Sequence, residues 1–299
     1  MQKLTIFALI GFVAQLMDGA LGMGFGLSSS TILLSYGLAP AVASASIHMS
    51  QIATTAVSGF SHYKFGNVDK RLVMIIAVPG AISAFLGAAF LSHISGEFIR
   101  PYISIFLLTL GVYIIFRFLS LSKKTHITEK KSVNKRFLLP LGIAGGFLDS
   151  VGGGGWGPVN TPALLSRSGI EPRKVIGTVD TSEFLVTISA TAGFLIFLGH
   201  NQFSWLLIAS FVIGGVVAAP LAAWLVKTLP SSVLGVLAGG FIILTNSRTL
   251  LSSIQISDAV LTFVYTSLIS GYLLIVAFSI RNHLRIKVIR KQAQKNAAP

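Results

Sequence analysis

Four carboxylates lie inside apolar stretches of the sequence, where a charged side chain is costly unless it has a partner or a function. They are Asp18, Asp149, Asp180 and Glu183. Carboxylates in such positions carry protons or cations, or pair with a buried base. Because Asp180 and Glu183 are three residues apart, they share one helical face. We expect one of these two to couple a solute to the proton gradient, whereas Asp18 and Asp149 are also suited to capping broken helix ends.

A glycine-rich segment follows each of the first two carboxylates. The sequence DGALGMGFG begins at Asp18, and DSVGGGGWGPV begins at Asp149. Consecutive glycines followed by Pro158 interrupt a membrane helix, and glycine lets backbone N–H groups approach a ligand closely. At the start of the next helix those N–H groups carry a partial positive charge, which suits a small anion. Tight helix packing through small residues is the alternative explanation.

Candidate site residues lie on the glycine segments and on two polar stretches, SASIHMSQ and IGTVDTSE, that follow them. The candidates for substrate binding are Gly22, Gly24, Gly26, Ser28, Ser29, Ser50, Gln51, Gly153, Gly154, Gly155, Trp156, Asn160, Thr161, Thr178, Thr181 and Ser182. The candidates for proton coupling are Asp18, His48, Asp149, Asp180 and Glu183. A hydrogen-bonded structural role is the alternative for His48.

The two glycine segments belong to an internal duplication. The aligned pairs include Asp18 with Asp149, Phe25 with Trp156, His48 with Asp180, Ser50 with Ser182 and Gln51 with Glu183. Weak duplication of this kind is typical of secondary transporters that are built from two structural repeats.

The composition limits the class of protein. Of 299 residues, 53% are hydrophobic and 11% are charged, whereas soluble domains have about a quarter of their residues charged. The absence of cysteine excludes disulfides and thiolate metal sites. The net charge of +14 reflects basic clusters at 123–136 and 281–295, which suit anionic lipid headgroups rather than nucleic acid. We expect no metal, because the sequence has no histidine cluster that would bind one, and no cofactor, because the G-x-G-x-x-G match at Gly152, Gly154 and Gly157 lacks the βαβ context of a dinucleotide site.

Apolar runs predict an all-α polytopic membrane protein with an inverted repeat. Each half is predicted to have one re-entrant, glycine-rich helical hairpin and three transmembrane helices, and one extra transmembrane helix follows. The first repeat (1–120) has hairpin 4–36 and spans 41–62, 72–93 and 98–119. A basic linker covers 121–136, and the second repeat (137–250) has hairpin 137–166 and spans 174–198, 203–226 and 231–247. The extra span is 257–280, and a basic tail follows at 281–299. Each hairpin is expected to have two arms of about 12 to 14 residues.

The positions of basic residues set the predicted orientation. A re-entrant hairpin at 137–166 keeps the linker and the tail on the cytoplasmic side, as the positive-inside rule requires, and places the N-terminus outside. Spans 41–62 and 174–198 are rich in small and hydroxyl residues and are expected inside the bundle. Spans 98–119 and 257–280 are rich in Leu, Ile and Phe and are expected to face lipid.

The paired motifs DGALGMGFG and GGFLDSVGGGGWGPV, each followed by a polar stretch, resemble the TauE/SafE family of membrane permeases, or sulfite exporters, over roughly residues 5–250. The resemblance implies transport of a small sulfur-containing anion such as sulfite, a sulfonate, sulfoacetate or thiosulfate, driven by the proton gradient across a prokaryotic inner membrane. The residues alone support only a small anion; sulfur comes from the resemblance. Homo-oligomerisation is left open. The alternatives are a passive anion channel and an intramembrane enzyme with Asp18 and Asp149 as an aspartyl dyad.

Overall fold

The computed structural model describes residues 2–121, 134–167, 171–225, 231–251 and 258–296, and these residues form helices and no strand. In chain order the α-helices are α1 (Gln2–Leu21), α2 (Phe25–Ser35), α3 (Pro40–Lys64), α4 (Lys70–His93), α5 (Gly96–Leu121), α6 (Lys135–Gly152), α7 (Trp156–Arg167), α8 (Pro172–Phe197), α9 (Trp205–Leu225), α10 (Ser231–Leu251) and α11 (Asp258–Asn296). The all-α prediction is confirmed. Residues 122–133 of the predicted linker and 297–299 of the predicted tail lie outside the described residues.

Six of the described helices contain a stretch that is long and apolar enough to cross a membrane. The stretches are Leu4–Leu21, Lys70–His93, Gly96–Phe116, Arg173–Phe197, Trp205–Leu225 and Ala259–Arg285. These helices confirm a polytopic membrane protein. Helix α3 has 25 residues and is not one of the six, because its Ser, Thr and His side chains lower its hydropathy.

The glycine segments break two helices, as predicted. Helix α1 ends at Leu21 and α2 begins at Phe25, while α6 ends at Gly152 and α7 begins at Trp156. Gly22 has φ of 69° and Gly153 also has φ of 69°, which lies in the left-handed region that favours glycine. Each break is therefore a backbone turn that only a residue without Cβ adopts readily.

The arms on either side of each break are unequal. Helices α1 and α6 have 20 and 18 residues, whereas α2 and α7 have 11 and 12. The prediction of two arms of about 12 to 14 residues was wrong for the first arms, because it placed the break at the middle of each apolar segment. Helix α6 begins as early as Lys135, where the Asn134 side chain accepts a hydrogen bond from the Arg136 N–H. At about 1.5 Å per residue, α1 alone is about 30 Å long.

The two halves pack through matching helix pairs. In the aligned register α1 to α5 correspond to α6 to α10. The contact of α1 with α9 matches the contact of α6 with α4, and the contact of α3 with α9 matches that of α8 with α4. The remaining two contacts, α3 with α8 and α5 with α10, each join equivalent helices of the two halves. Exchanging the halves therefore reproduces these six contacts, as a two-fold relation between repeats does. The inverted orientation of the halves across a bilayer and the predicted re-entrant topology stay predictions.

The helices differ in how much they are buried. The polar faces of α3 and α8 lie inside the bundle. At most 1% of the surface of each of four residues there is exposed, namely His48, Gln51, Thr178 and Asp180. By contrast, α11 is largely exposed and packs on α10. The expectation of an internal position for α3 and α8 is confirmed. The lipid-facing position of spans 98–119 and 257–280 stays a prediction.

Candidate functional site

The two helix breaks contact each other directly. A Cβ added to Gly157 would lie 2.6 Å from the Met23 Cα, and a Cβ added to Gly26 would lie closer still to Gly154 and to the Gly153 carbonyl oxygen. These approaches leave room for backbone alone, so Gly26 and Gly157 serve close packing. The expectation that the glycines bring backbone N–H groups to a ligand is not met in this arrangement, because the breaks are buried against each other. Sequence could not decide this point, because an open backbone and a tightly packed one both require glycine.

Two hydroxyl groups tie the breaks together. The Thr161 hydroxyl donates to the Gly22 carbonyl oxygen at 2.6 Å, and the Ser30 hydroxyl donates to the Gly153 carbonyl oxygen at 2.9 Å. Ser30 corresponds to Thr161 in the aligned halves, and Gly22 corresponds to Gly153, so the two bonds are equivalent. Sequence reasoning selected the neighbours of Ser30 and missed Ser30 itself, although its alignment with Thr161 was a usable signal.

Each tip carboxylate caps the helix that follows its own break. Asp149 Oδ1 accepts hydrogen bonds from the backbone N–H groups of Gly155 at 2.8 Å and Trp156 at 2.9 Å. Asp18 Oδ1 accepts one from the N–H of Phe25 at 3.4 Å. A carboxylate at a helix N-terminus is stabilised by the helix dipole. The capping interpretation of both residues is therefore confirmed, and these N–H groups are not free for a substrate anion.

A buried histidine faces the second tip. His48 Nε2 lies 3.1 Å from Asp149 Oδ2, and His48 Nδ1 lies 2.8 Å from the Ser44 carbonyl oxygen. The Ser44 hydroxyl also lies 3.2 Å from Nδ1. A hydrogen bond between His48 Nε2 and Asp149 Oδ2 needs a proton on one of these two atoms. Asp18 and Glu183 both interact electrostatically with Asp149.

Three further carboxylates converge beside this pair. One oxygen each from Asp18, Asp180 and Glu183 lie within 4.8 Å of one another, and all three side chains are buried. The Gln51 amide donates to Glu183 Oε1 at 2.8 Å. His62 Nε2 lies 3.9 Å from Asp180 Oδ2. His62 was missed by sequence reasoning, although it is about four helical turns from His48 on α3.

The remaining predicted site residues divide by what their side chains contact. Ser50, Asn160, Thr181 and Ser182 donate to backbone carbonyl groups of their own helices, and the Thr178 hydroxyl accepts from the Asp69 N–H. The Trp156 indole N–H donates to both the Val179 carbonyl oxygen and the Ser182 hydroxyl. Gly24 packs on Met17, and Gly155 packs on Leu148. The hydroxyl groups of Ser28 and Ser29 are buried and have no hydrogen-bond partner among the described residues.

An apolar groove of about 540 Å³ opens between α1, α2 and α10. Leucine, isoleucine, valine, alanine, methionine and phenylalanine side chains line it, together with Ser28. Such a lining cannot replace the hydration of an anion. The polar centre around the two breaks, rather than this groove, is the candidate site.

The sequence that forms this centre matches a known family. A family model described as sulfite exporter TauE/SafE matches residues 7–249. The chain belongs to the TauE/SafE family. It is similar to the probable membrane transporter protein YtnM of Bacillus subtilis (strain 168), with 54% identity over 280 residues and 93% of each chain covered. It is also similar to the probable membrane transporter protein YdhB of the same organism, with 24% identity over 233 residues, 77% of this chain and 92% of that protein.

No solved structure matches the chain. Membership of the TauE/SafE family identifies a multi-pass membrane transporter, as the sequence motifs indicated. The names of the family and of both relatives indicate a transporter rather than an enzyme. The described geometry agrees, since the carboxylates of Asp18 and Asp149 are each engaged in capping a different helix.

Proposed function

We propose that this TauE/SafE protein is a secondary transporter that moves a small sulfur-containing anion, such as sulfite, a sulfonate including sulfoacetate, or thiosulfate, across the cytoplasmic membrane together with protons. The observation that carries the proposal is the contact between two broken helices at one buried polar centre. In secondary transporters, substrate sites lie where discontinuous helices from two repeats meet. The sulfur chemistry rests on the family alone.

The anion site is proposed to form when the two breaks separate. In the described structure, where the breaks are in contact, the hydroxyl groups of Thr161 and Ser30 donate hydrogen bonds to carbonyl oxygens of the opposite break. Movement of one half against the other frees both donors, and Ser28 and Ser29 add two hydroxyl groups that have no partner in the described structure. A dehydrated anion needs several such donors at once. The other predicted residues on the tips form the wall of the proposed site with their backbone; they are those from Gly22 to Gly26 and from Gly153 to Trp156.

Proton coupling follows from the charge around this site. Four buried carboxylates surround it, and an anion near ionised carboxylates is repelled strongly in a low-dielectric interior. A substrate anion therefore binds only when positive charge enters with it. The His48–Asp149 pair is the proposed proton carrier, because a buried base and a buried carboxylate lie 3.1 Å apart at the second break. Asp18, Asp180 and Glu183 are the other candidates for carrying the compensating charge.

The proposed orientation places the C-terminus in the cytoplasm and the N-terminus outside. Helix α11 has 39 residues, about 58 Å at 1.5 Å per residue, and is longer than a bilayer requires. Its basic C-terminal stretch from Arg281 onward is proposed to contact anionic lipid headgroups.

The proposal is tested by uptake into proteoliposomes that contain the purified full-length protein. Sulfite, sulfoacetate, thiosulfate, sulfate and acetate are compared, each with and without an imposed pH gradient, and protein-free liposomes give the baseline. We expect saturable uptake of at least one sulfur oxyanion that is stimulated by the gradient. Uptake that never saturates indicates a channel, and no movement of any of the five anions refutes the proposed function.

A further inference from the structure

The two halves place different chemistry at equivalent positions of the polar centre. In the aligned register Asp149 corresponds to Asp18, and His48 corresponds to Asp180. The contact between His48 and Asp149 therefore has the contact between Asp180 and Asp18 as its counterpart. The first contact joins a base to a carboxylate at 3.1 Å. The second brings two carboxylates together, with no base at the matching position.

A third carboxylate joins the second contact. Gln51 and Glu183 are also equivalent, and they hydrogen-bond to each other across the centre. Glu183 thereby contributes an oxygen that lies within 4.8 Å of oxygens of Asp18 and Asp180. In the part of the chain that the structure describes, no lysine or arginine lies within 4.0 Å of these three carboxylates, and His62 makes the one ion-pair contact, at 3.9 Å from Asp180. Buried carboxylates without compensating positive charge are costly.

The oxygen positions suit a shared cation. Ligand oxygens that share an ion at about 2.4 Å lie at most about 4.8 Å apart, and the three carboxylate oxygens all lie within that distance of one another. An all-oxygen set of carboxylates selects a hard cation rather than a soft metal.

A buried amide adjoins the set. Gln51 is fully buried, and its Oε1 has no hydrogen-bond partner among the described residues, although its amide nitrogen is 2.8 Å from Glu183. The amide nitrogen thus ties Gln51 to the carboxylate group. On the same face of α3, the buried Ser58 side chain hydrogen-bonds with Asp180, and the Thr54 hydroxyl lacks a partner in the described structure.

We propose that the carboxylates of Asp18, Asp180 and Glu183, with Gln51 beside them, bind a sodium ion, which supplies the positive charge that no described lysine or arginine supplies there. Coupled ions in other transporters bind beside the unwound part of a broken helix, and Asp18 is in the last turn of α1, next to such a break. The ion's use in transport rests on the proposed function; its binding does not.

Binding is tested on the purified full-length protein in detergent, without transport. Thermal unfolding is followed in NaCl, KCl and choline chloride at constant ionic strength, with CaCl₂ and MgCl₂ at millimolar concentration as further conditions. Because a ligand that binds only the native state stabilises it by mass action, Na⁺ is expected to raise the melting temperature progressively once its concentration exceeds the dissociation constant. Equilibrium binding of radioactive Na⁺ gives the midpoint of binding directly.

Two carboxamide variants separate the site from a surface effect. Glu183→Gln keeps the shape and an acceptor for Gln51 but removes one of three ligand charges, so its Na⁺ midpoint is expected to rise at least about tenfold. Glu97→Gln removes an exposed carboxylate and should respond to Na⁺ as the wild type does. Stabilisation by Ca²⁺ but not Na⁺, equal stabilisation by K⁺ and choline, or no response to any cation overturns the proposal.

Discussion

Replacing Gly157 by alanine tests whether the two breaks are packed backbone to backbone. The new Cβ would lie 2.6 Å from the Met23 Cα and 2.8 Å from the Met23 Cβ. Carbon atoms in contact prefer about 3.5 to 4.0 Å, so α7 and the first break must move apart by about 1 Å. Overpacking of this kind costs about 1 to 3 kcal/mol.

The matched control is Gly271→Ala on α11. A Cβ at Gly271 would have no heavy atom within 4 Å. We expect Gly157→Ala to melt several degrees below the wild type in detergent and to lose most of its anion uptake, while Gly271→Ala matches the wild type in both. Wild-type stability and uptake in Gly157→Ala would refute the contact between the breaks as the organising feature of the site.

Three other substitutions follow from the same geometry. Thr161→Val leaves the buried Gly22 carbonyl without its donor and should lower the free energy of unfolding by about 1 to 3 kcal/mol, measured by thermal unfolding; an unchanged value contradicts the cross-link. Asp149→Asn keeps an oxygen for the α7 cap but removes the charge opposite His48, so we expect anion counterflow to persist and its stimulation by a pH gradient to vanish. Tyr272→Phe loses a bond to an α10 carbonyl on an exposed face and should leave uptake unchanged.

The sequence predicted the parts of this fold that depend on local backbone chemistry. Consecutive glycines predicted where two helices break, and the structure has Gly22 and Gly153 at positive φ at those points. The duplication paired residues that the structure shows in equivalent contacts, such as Asp18 and Asp149, each of which caps the helix after its break. Composition alone placed the polar α3 inside the bundle and the apolar α11 outside.

Features that depend on the approach of distant segments could not be predicted. Whether Gly26 and Gly157 expose backbone to a ligand or to each other is decided by the distance between two breaks that are about 130 residues apart in sequence. The pairing of His48 with Asp149 joins helices of different halves and leaves no periodic signal. Arm lengths were misjudged because the glycines mark the break but not where the first arm begins.

The central claim is that an anion and a proton cross together through the polar centre at the two breaks. The most direct measurement records internal pH with a trapped dye while a concentration gradient of the saturably transported anion, and no pH gradient, is applied to proteoliposomes. We predict acidification that accompanies anion entry through the wild type and is absent with Asp149→Asn, relative to protein-free liposomes. Anion entry through the wild type with no change in internal pH would contradict the account.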